Sequence, residues 1–228
     1  MATIGDNLQA VKARVARAAE QARRDPAGIV LLAVSKGQPA TRIEAARLAG
    51  QTAFGENYVQ EAIAKMDALP RLEWHLIGPL QSNKTRVVAE RFDWVQTVAS
   101  EKIARRLSEQ RPAGMAALNV LIQVNASGEA SKSGVRPDEV AALSRTLSSL
   151  KQLRLRGLMA IPEPGAPRER FHEVGVLYET MMREFAFDTL SMGMSDDLEL
   201  AIAEGATLVR VGTAIFGARN PSLARSAA

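Results

Sequence analysis

Short apolar runs alternate with amphipathic helical stretches along nearly the whole chain, and this alternation limits the fold more than any other feature. IVLLAVSK (29–36), TAFG (52–55), LEWHLIG (72–78), FDWVQTV (92–98), ALNVLIQVN (117–125), LRLRGLMA (153–160), 187–191 and 206–211 read as strands. Helical spacing falls between them, over 39–50, 57–68, 137–150, 168–186 and 195–204, and a short helix from Thr213 completes the series. Pro39 and Pro137 sit where a first helical turn tolerates proline, Gly50 follows a helix end, and Ser100 is placed to cap the helix after the fourth strand. Strands separated by helices must pair in parallel, because a parallel connection needs a long crossover. Eight such units in 228 residues predict an α/β chain forming a single (β/α)8 TIM-type barrel over residues 1–228. A doubly wound open sheet is the alternative. Residues 1–24 form an extra N-terminal helix packing on the barrel, with Leu8, Val11, Val15, Ala18 and Ala22 at helical spacing.

Composition narrows the chemistry. With 46% hydrophobic residues the chain has ample core for one domain, and no shift in composition marks a second. The absence of cysteine excludes disulfides, thiolate catalysis and Cys-based metal sites. Two histidines, His75 in a strand and His172 on a surface helix, do not make a metal site of ordinary spacing. The N-terminus has no apolar run long enough for a signal peptide or a membrane span, so a soluble cytoplasmic protein is expected. Twenty-nine basic residues against 25 acidic ones are scattered, with only 4% aromatics, and this argues against nucleic acid as a partner.

The stretch 189–220 points to a phosphorylated cofactor. In TLVRVG, Leu208, Arg210 and Gly212 share one face of a strand, with Val209 and Val211 on the other. A guanidinium on such a face needs an acceptor, and a ring nitrogen or a carboxylate would serve. Ser195 opens the helix after the seventh strand, and Gly212 and Thr213 open the one after the eighth, where phosphates commonly bind in barrels. Glycine at 212 also admits close approach to the backbone. Asp196 and Asp197 suit a helix dipole but oppose an anion unless they point away. Lys36 ends the first strand, where desolvation would free its amine for Schiff-base formation with an aldehyde. Asn57 is either a ligand contact or a helix cap, and His75 reads as a core histidine with satisfied ring nitrogens. Lys84 and Lys132 lie in polar loops on the same face, as solvated lysines or secondary amines.

AVSK, FGENYVQE, WHLIGPLQSNK, the SKSG loop, GLMAIP, LSMGMSDDLELAI and VRVGTAIFG occur in that order. With them the chain closely resembles the pyridoxal phosphate homeostasis proteins, single-domain relatives of the alanine racemase barrel. The resemblance implies pyridoxal 5'-phosphate (PLP) as cofactor, Lys36 as its Schiff-base residue, Ser195, Gly212 and Thr213 on the phosphate, and Arg210 facing the pyridine nitrogen. Asn57 and Met192 would line the pocket. After Lys36 the chain has GQP, where many members carry a threonine and a lysine. The implied task is PLP buffering or delivery, with apo PLP-dependent enzymes as transient partners and no assured catalytic residue. A PLP-dependent amino-acid racemase of low activity is the alternative. Related racemases carry a second domain and draw a tyrosine base across a dimer; here Tyr58 and Tyr178 fall on helices, and a monomer is expected.

Overall fold

A computed structural model describes residues 2–127 and 133–218. Eight parallel strands close into a barrel in sequence order: β1 Val30–Val34, β2 Ala53–Glu56, β3 Glu73–Leu76, β4 Trp94–Val98, β5 Leu118–Val124, β6 Leu153–Ala160, β7 Thr189–Ser191 and β8 Leu208–Val211. The closing pair sets Val30 opposite Leu208 and Leu32 opposite Arg210. The open-sheet alternative is thereby excluded. Helix α1 (Ile4–Gln21) precedes the barrel, and α2 (Ala40–Leu48), α3 (Val59–Ala68), α4 (Thr85–Arg91), α5 (Glu101–Gln110), α6 (Val140–Ser148), α7 (Arg168–Phe185), α8 (Leu198–Ala203) and α9 (Thr213–Phe216) follow successive strands.

Strand alternation divides the core into two layers, as burial on both faces of a parallel sheet demands. Ala33, Phe54, Val95, Val120, Leu158, Val209 and Val211 point outward into one large cluster with the helices. Leu32, Ala53, Ile77 and Leu208 meet inside the barrel, and Trp94, Leu121 and Met159 form a second interior group. Leu208 therefore faces the lumen and Val209 and Val211 the helices, as the period-two reading requires.

Helix α1 begins at a capping box, in which the Thr3 hydroxyl accepts from the Asp6 amide and the Asp6 carboxylate accepts from the Thr3 amide. Leu8, Val11, Val15, Ala18 and Ala19 bury its inner face. Its polar side holds the last two units of the barrel. Asn7 Nδ2 donates to the Ile215 carbonyl at 3.1 Å, Arg14 pairs with Glu199 and donates to the Ser195 carbonyl, and Arg24, just past the end of the helix, donates to the Ile202 and Ala206 carbonyls. The helix thus anchors the two turns that follow β7 and β8.

Candidate functional site

The C-terminal mouth of the barrel holds a cavity of about 350 Å³, at the small end of the range for small-molecule pockets. Its lining brings together Lys36 after β1, Asn57 after β2, Ser195 after β7, Arg210 on β8, and Gly212 and Thr213 after it. Val34, Ile77, Met159, Ile161 and Met194 supply apolar walls. Six of the seven positions singled out from the sequence therefore converge. The seventh, Met192, does not. Ser191 is directed into the lumen, so Leu190 and Met192 fall on the outer face, where Met192 is fully buried among the helices. Met194, beyond the left-handed Gly193, lines the cavity instead.

Two local expectations change. Ser195 does not open a helix: α8 starts at Leu198 with Asp197 as its N-cap residue, so Ser195 sits in the preceding turn. The Asp197 carboxylate accepts from the Met194 amide at 2.5 Å and tightens that turn, while exposed Asp196 remains at the cavity rim. Asn57 is not a helix cap, because Tyr58 occupies that position in α3. Its Oδ1 is buried at the cavity and has no hydrogen-bond partner among the described residues. A buried amide oxygen in that condition calls for a donor, since leaving it unsatisfied costs about 1–3 kcal/mol.

Glycine shapes the site at two points. A Cβ on Gly78 would lie 2.2 Å from the Asn57 carbonyl, so only glycine lets the segment after β3 pass against Asn57. At Gly212 a Cβ would meet the Val34 carbonyl at 3.0 Å, so the glycine seats α9 against the end of β1. Within α9 the Ile215 and Phe216 amides both donate to the Gly212 carbonyl at 2.9 Å, and Thr213, its first residue, belongs to the cavity wall.

Beneath Lys36 lies a buried ionic cluster that no sequence motif announces. Lys65 Nζ donates to the Ser35 carbonyl at 2.8 Å, to Glu56 Oε1 at 2.7 Å and to Glu61 Oε1 at 2.6 Å. Glu56 also accepts from the Ser35 hydroxyl, and Glu61 from the Gly37 amide. Both neighbours of Lys36 are thereby fixed. One ammonium serves two carboxylates, and Glu56 is wholly enclosed, so burial pushes its carboxyl up to about 7 against the Lys65 charge. The folded chain then binds this proton more tightly than an unfolded chain with a value of 4.5. Stability from Glu56 is complete below pH 4.5 and is lost as pH rises through about 7. Compared with a Glu56→Gln variant, wild type should lose relative thermal stability as pH rises through that window. A difference independent of pH would mean that Glu56 stays ionised throughout.

The remaining residues lie elsewhere. His75 is buried with both ring nitrogens hydrogen-bonded, as expected of a core histidine, and it does not line the cavity. Lys84 ends a short 3-10 turn away from the cavity, Lys132 lies outside the described residues, and exposed His172 pairs with Glu204. Among the described residues no group of three or more His, Cys, Asp or Glu side chains is placed to hold a metal, and no helix is long and apolar enough to cross a membrane.

A closed parallel barrel with a lysine, an arginine and two glycine-flanked turns at its C-terminal mouth defines a small-ligand-binding barrel of the alanine racemase N-terminal type. The family described as "Alanine racemase, N-terminal domain" matches residues 7–220. A pyridoxal phosphate homeostasis protein of Pseudomonas aeruginosa PAO1 is 56% identical over 224 residues, covering 96% of this chain and 97% of that one. Its counterpart in Escherichia coli K12 is 50% identical over 232 residues, covering 97% and 99%. Among solved structures, PipY of Synechococcus elongatus PCC7942 with PLP bound superposes with a TM-score of 0.77 at 39% identity, over 89% of this chain and all of that one. An alanine racemase of Clostridium difficile 630 shares the fold, with a TM-score of 0.74 at 14% identity, over 95% of this chain and 57% of its own. The chain belongs to the pyridoxal phosphate homeostasis protein family.

Proposed function

We propose that this protein binds PLP at the barrel mouth with Lys36 as the covalent anchor, and that it buffers or delivers the cofactor within the cytoplasm. The observation that carries this reading is that Lys36, Ser195, Gly212 and Thr213, from three separate strand ends, share one cavity with Arg210 in its wall. The PLP-bound structure of PipY and the names of the 50–56% identical relatives support it. The donor set fits the group: an amine for an aldehyde, turn amides and hydroxyls for a phosphate, a guanidinium for a ring nitrogen, and the unsatisfied Asn57 oxygen for a polar ring substituent.

When bound, PLP supplies an aldehyde to the lysine and a pyridine ring that withdraws electrons strongly once its nitrogen is protonated. Arg210 works against that protonation. Burial draws its guanidinium down to about 10, which leaves it charged at neutral pH, and a second positive charge facing it is disfavoured. The site therefore retains the cofactor better than it would promote carbanion chemistry. Neither tyrosine lines the cavity: Tyr178 is buried on α7 with its phenol pushed up to about 12, and Tyr58 precedes α3. A racemase base is thus not evident, and carriage is the reading adopted. Its partners are apo PLP-dependent enzymes, met transiently by a monomer.

An absorbance titration of purified protein with PLP, followed by borohydride reduction and peptide mapping, tests the assignment. The expected result is a yellow protein whose band disappears on reduction with the label on Lys36, and which forms no D-isomers from L-amino acids. A protein that stays colourless with added PLP would overturn it.

A further inference from the structure

Among the described residues no carboxylate touches Arg210 in the barrel wall, yet it is only 4% exposed. Its NH2 group donates to the Ala160 carbonyl at 2.9 Å and its NH1 group to Ser191 Oγ at 2.8 Å. From Ser191 a series of polar contacts crosses the lumen. Ser191 Oγ lies 2.6 Å from Gln96 Oε1, Gln96 Nε2 lies 2.9 Å from His75 Nδ1, and His75 Nε2 lies 2.8 Å from Glu73 Oε1. Glu73 opens β3, at the barrel end opposite the cavity. Ser191, Gln96 and His75 are each buried to 1% exposure or less.

The two ends of this series dictate every proton between them. Guanidinium can only donate and an ionised carboxylate can only accept. If His75 is neutral, Glu73 requires its Nε2–H, which leaves Nδ1 an acceptor. Gln96 must then present its NH2 to His75 and its oxygen to Ser191, and the serine hydroxyl must donate to that oxygen while accepting from Arg210. No other arrangement leaves all five groups satisfied. The neutral state has independent support, because burial holds His75 below the usual imidazole range although Glu73 and the nearby Asp93 pull the other way. Its ring also stacks on Trp94 at 5.0 Å, and the opposing cation Arg156 lies over that tryptophan at 4.7 Å.

We propose that Ser191, Gln96 and His75 are positioning residues for Arg210, forming a one-way hydrogen-bond chain through the lumen that ends on Glu73. The chain fixes the rotamer of the guanidinium and orients three successive dipoles toward a distant carboxylate, so a buried cation is stabilised while the rest of its donors remain available to the cavity. Its effect on the cofactor rests on the PLP reading; its existence does not.

Nitrogen-15 NMR of histidine-labelled protein tests the chain directly, because the sequence has only two histidines and His172 is exposed. A His172→Gln variant assigns the His75 signals. The expected spectrum shows a neutral ring with a bare Nδ1 and a protonated Nε2 at neutral pH. A Gln96→Met variant should lose this single tautomer. In the second arm, Ser191→Ala and Gln96→Met should retain PLP about tenfold less well, the worth of one hydrogen bond to a charged group, and shift the band of the bound cofactor while keeping Lys36 labelled. A wild-type His75 that is charged, or protonated at Nδ1, overturns the chain whatever the protein binds. A correct tautomer with PLP affinity and spectrum unchanged in both variants overturns the positioning role. Failure of wild type to bind PLP would sink the proposed function, while the histidine spectrum would still decide whether the chain exists.

Discussion

Replacing Lys36 with alanine should abolish covalent retention of PLP altogether, while leaving the fold and a weaker, reversible affinity in place. The side chain follows the C-terminal end of β1, half-buried, and lines the cavity. The cavity walls that would hold the phosphate come from Ser195, Gly212 and Thr213, whose positions are set by α1, α8 and α9. Phosphate contacts should therefore survive the substitution, and the loss should fall on the borohydride-reducible adduct. Among the described residues, Lys36 is the one lysine lining the cavity, since Lys65 is committed to two carboxylates below it and Lys84 lies apart. Arg210→Ala should behave in the opposite sense, keeping the adduct but shifting its absorbance, because the charge proposed to face the ring is gone. Spectra of both variants before and after borohydride, with mass analysis of the reduced peptide, measure this. A reducible adduct persisting in Lys36→Ala would assign the anchor to another lysine.

Much of this was legible in the sequence because its signals were repetitive or local. Eight strand and helix alternations specify a barrel redundantly, so differences of one to three residues at element ends change nothing: α3 begins at Val59 rather than 57, and β7 at Thr189 rather than 187. Period-two alternation placed Arg210 inside the barrel. The same rule, counted from Ser191, puts Met192 among the helices; the pocket expectation for Met192 followed a motif instead of strand parity. The turn after β7 was harder to read. Serine followed by two aspartates looks like a helix start, but the Asp197 side chain closes on the Met194 amide and delays α8 to Leu198. Two features were out of reach of local patterns altogether. The Glu56, Glu61 and Lys65 cluster joins β2 to α3 beneath β1, and the lumen chain joins residues on β3, β4, β7 and β8. Their polar residues stand at intervals that look unremarkable until the barrel closes.

The cluster beneath Lys36 carries the larger stability prediction. Lys65 uses all three ammonium donors, on the Ser35 carbonyl, Glu56 and Glu61, and its exposure is 5%. Lys65→Met would leave two carboxylates close together with no counter-charge, one of them wholly enclosed. Breaking a buried pair from one side costs about 3–5 kcal/mol, which for a chain of this size lowers the midpoint of thermal unfolding on the order of 6–20 °C. The deficit should shrink at mildly acidic pH, where Glu56 can neutralise itself by taking up a proton. Replacing both partners, as Lys65→Met with Glu56→Leu, should recover most of the loss, because an enclosed ion pair removed together is close to neutral for stability. Recovery of stability need not restore the site. Gly37 would still bond Glu61, but Ser35 would have lost the lysine and the carboxylate that fix it, and the backbone bearing Lys36 would be held on one side only. The double variant should therefore melt near wild type yet retain PLP less firmly, and calorimetry alongside cofactor dialysis separates the two effects. A Lys65→Met protein melting within about 2 °C of wild type would show that the cluster contributes less than about 1 kcal/mol and that Lys36 is positioned by β1 alone.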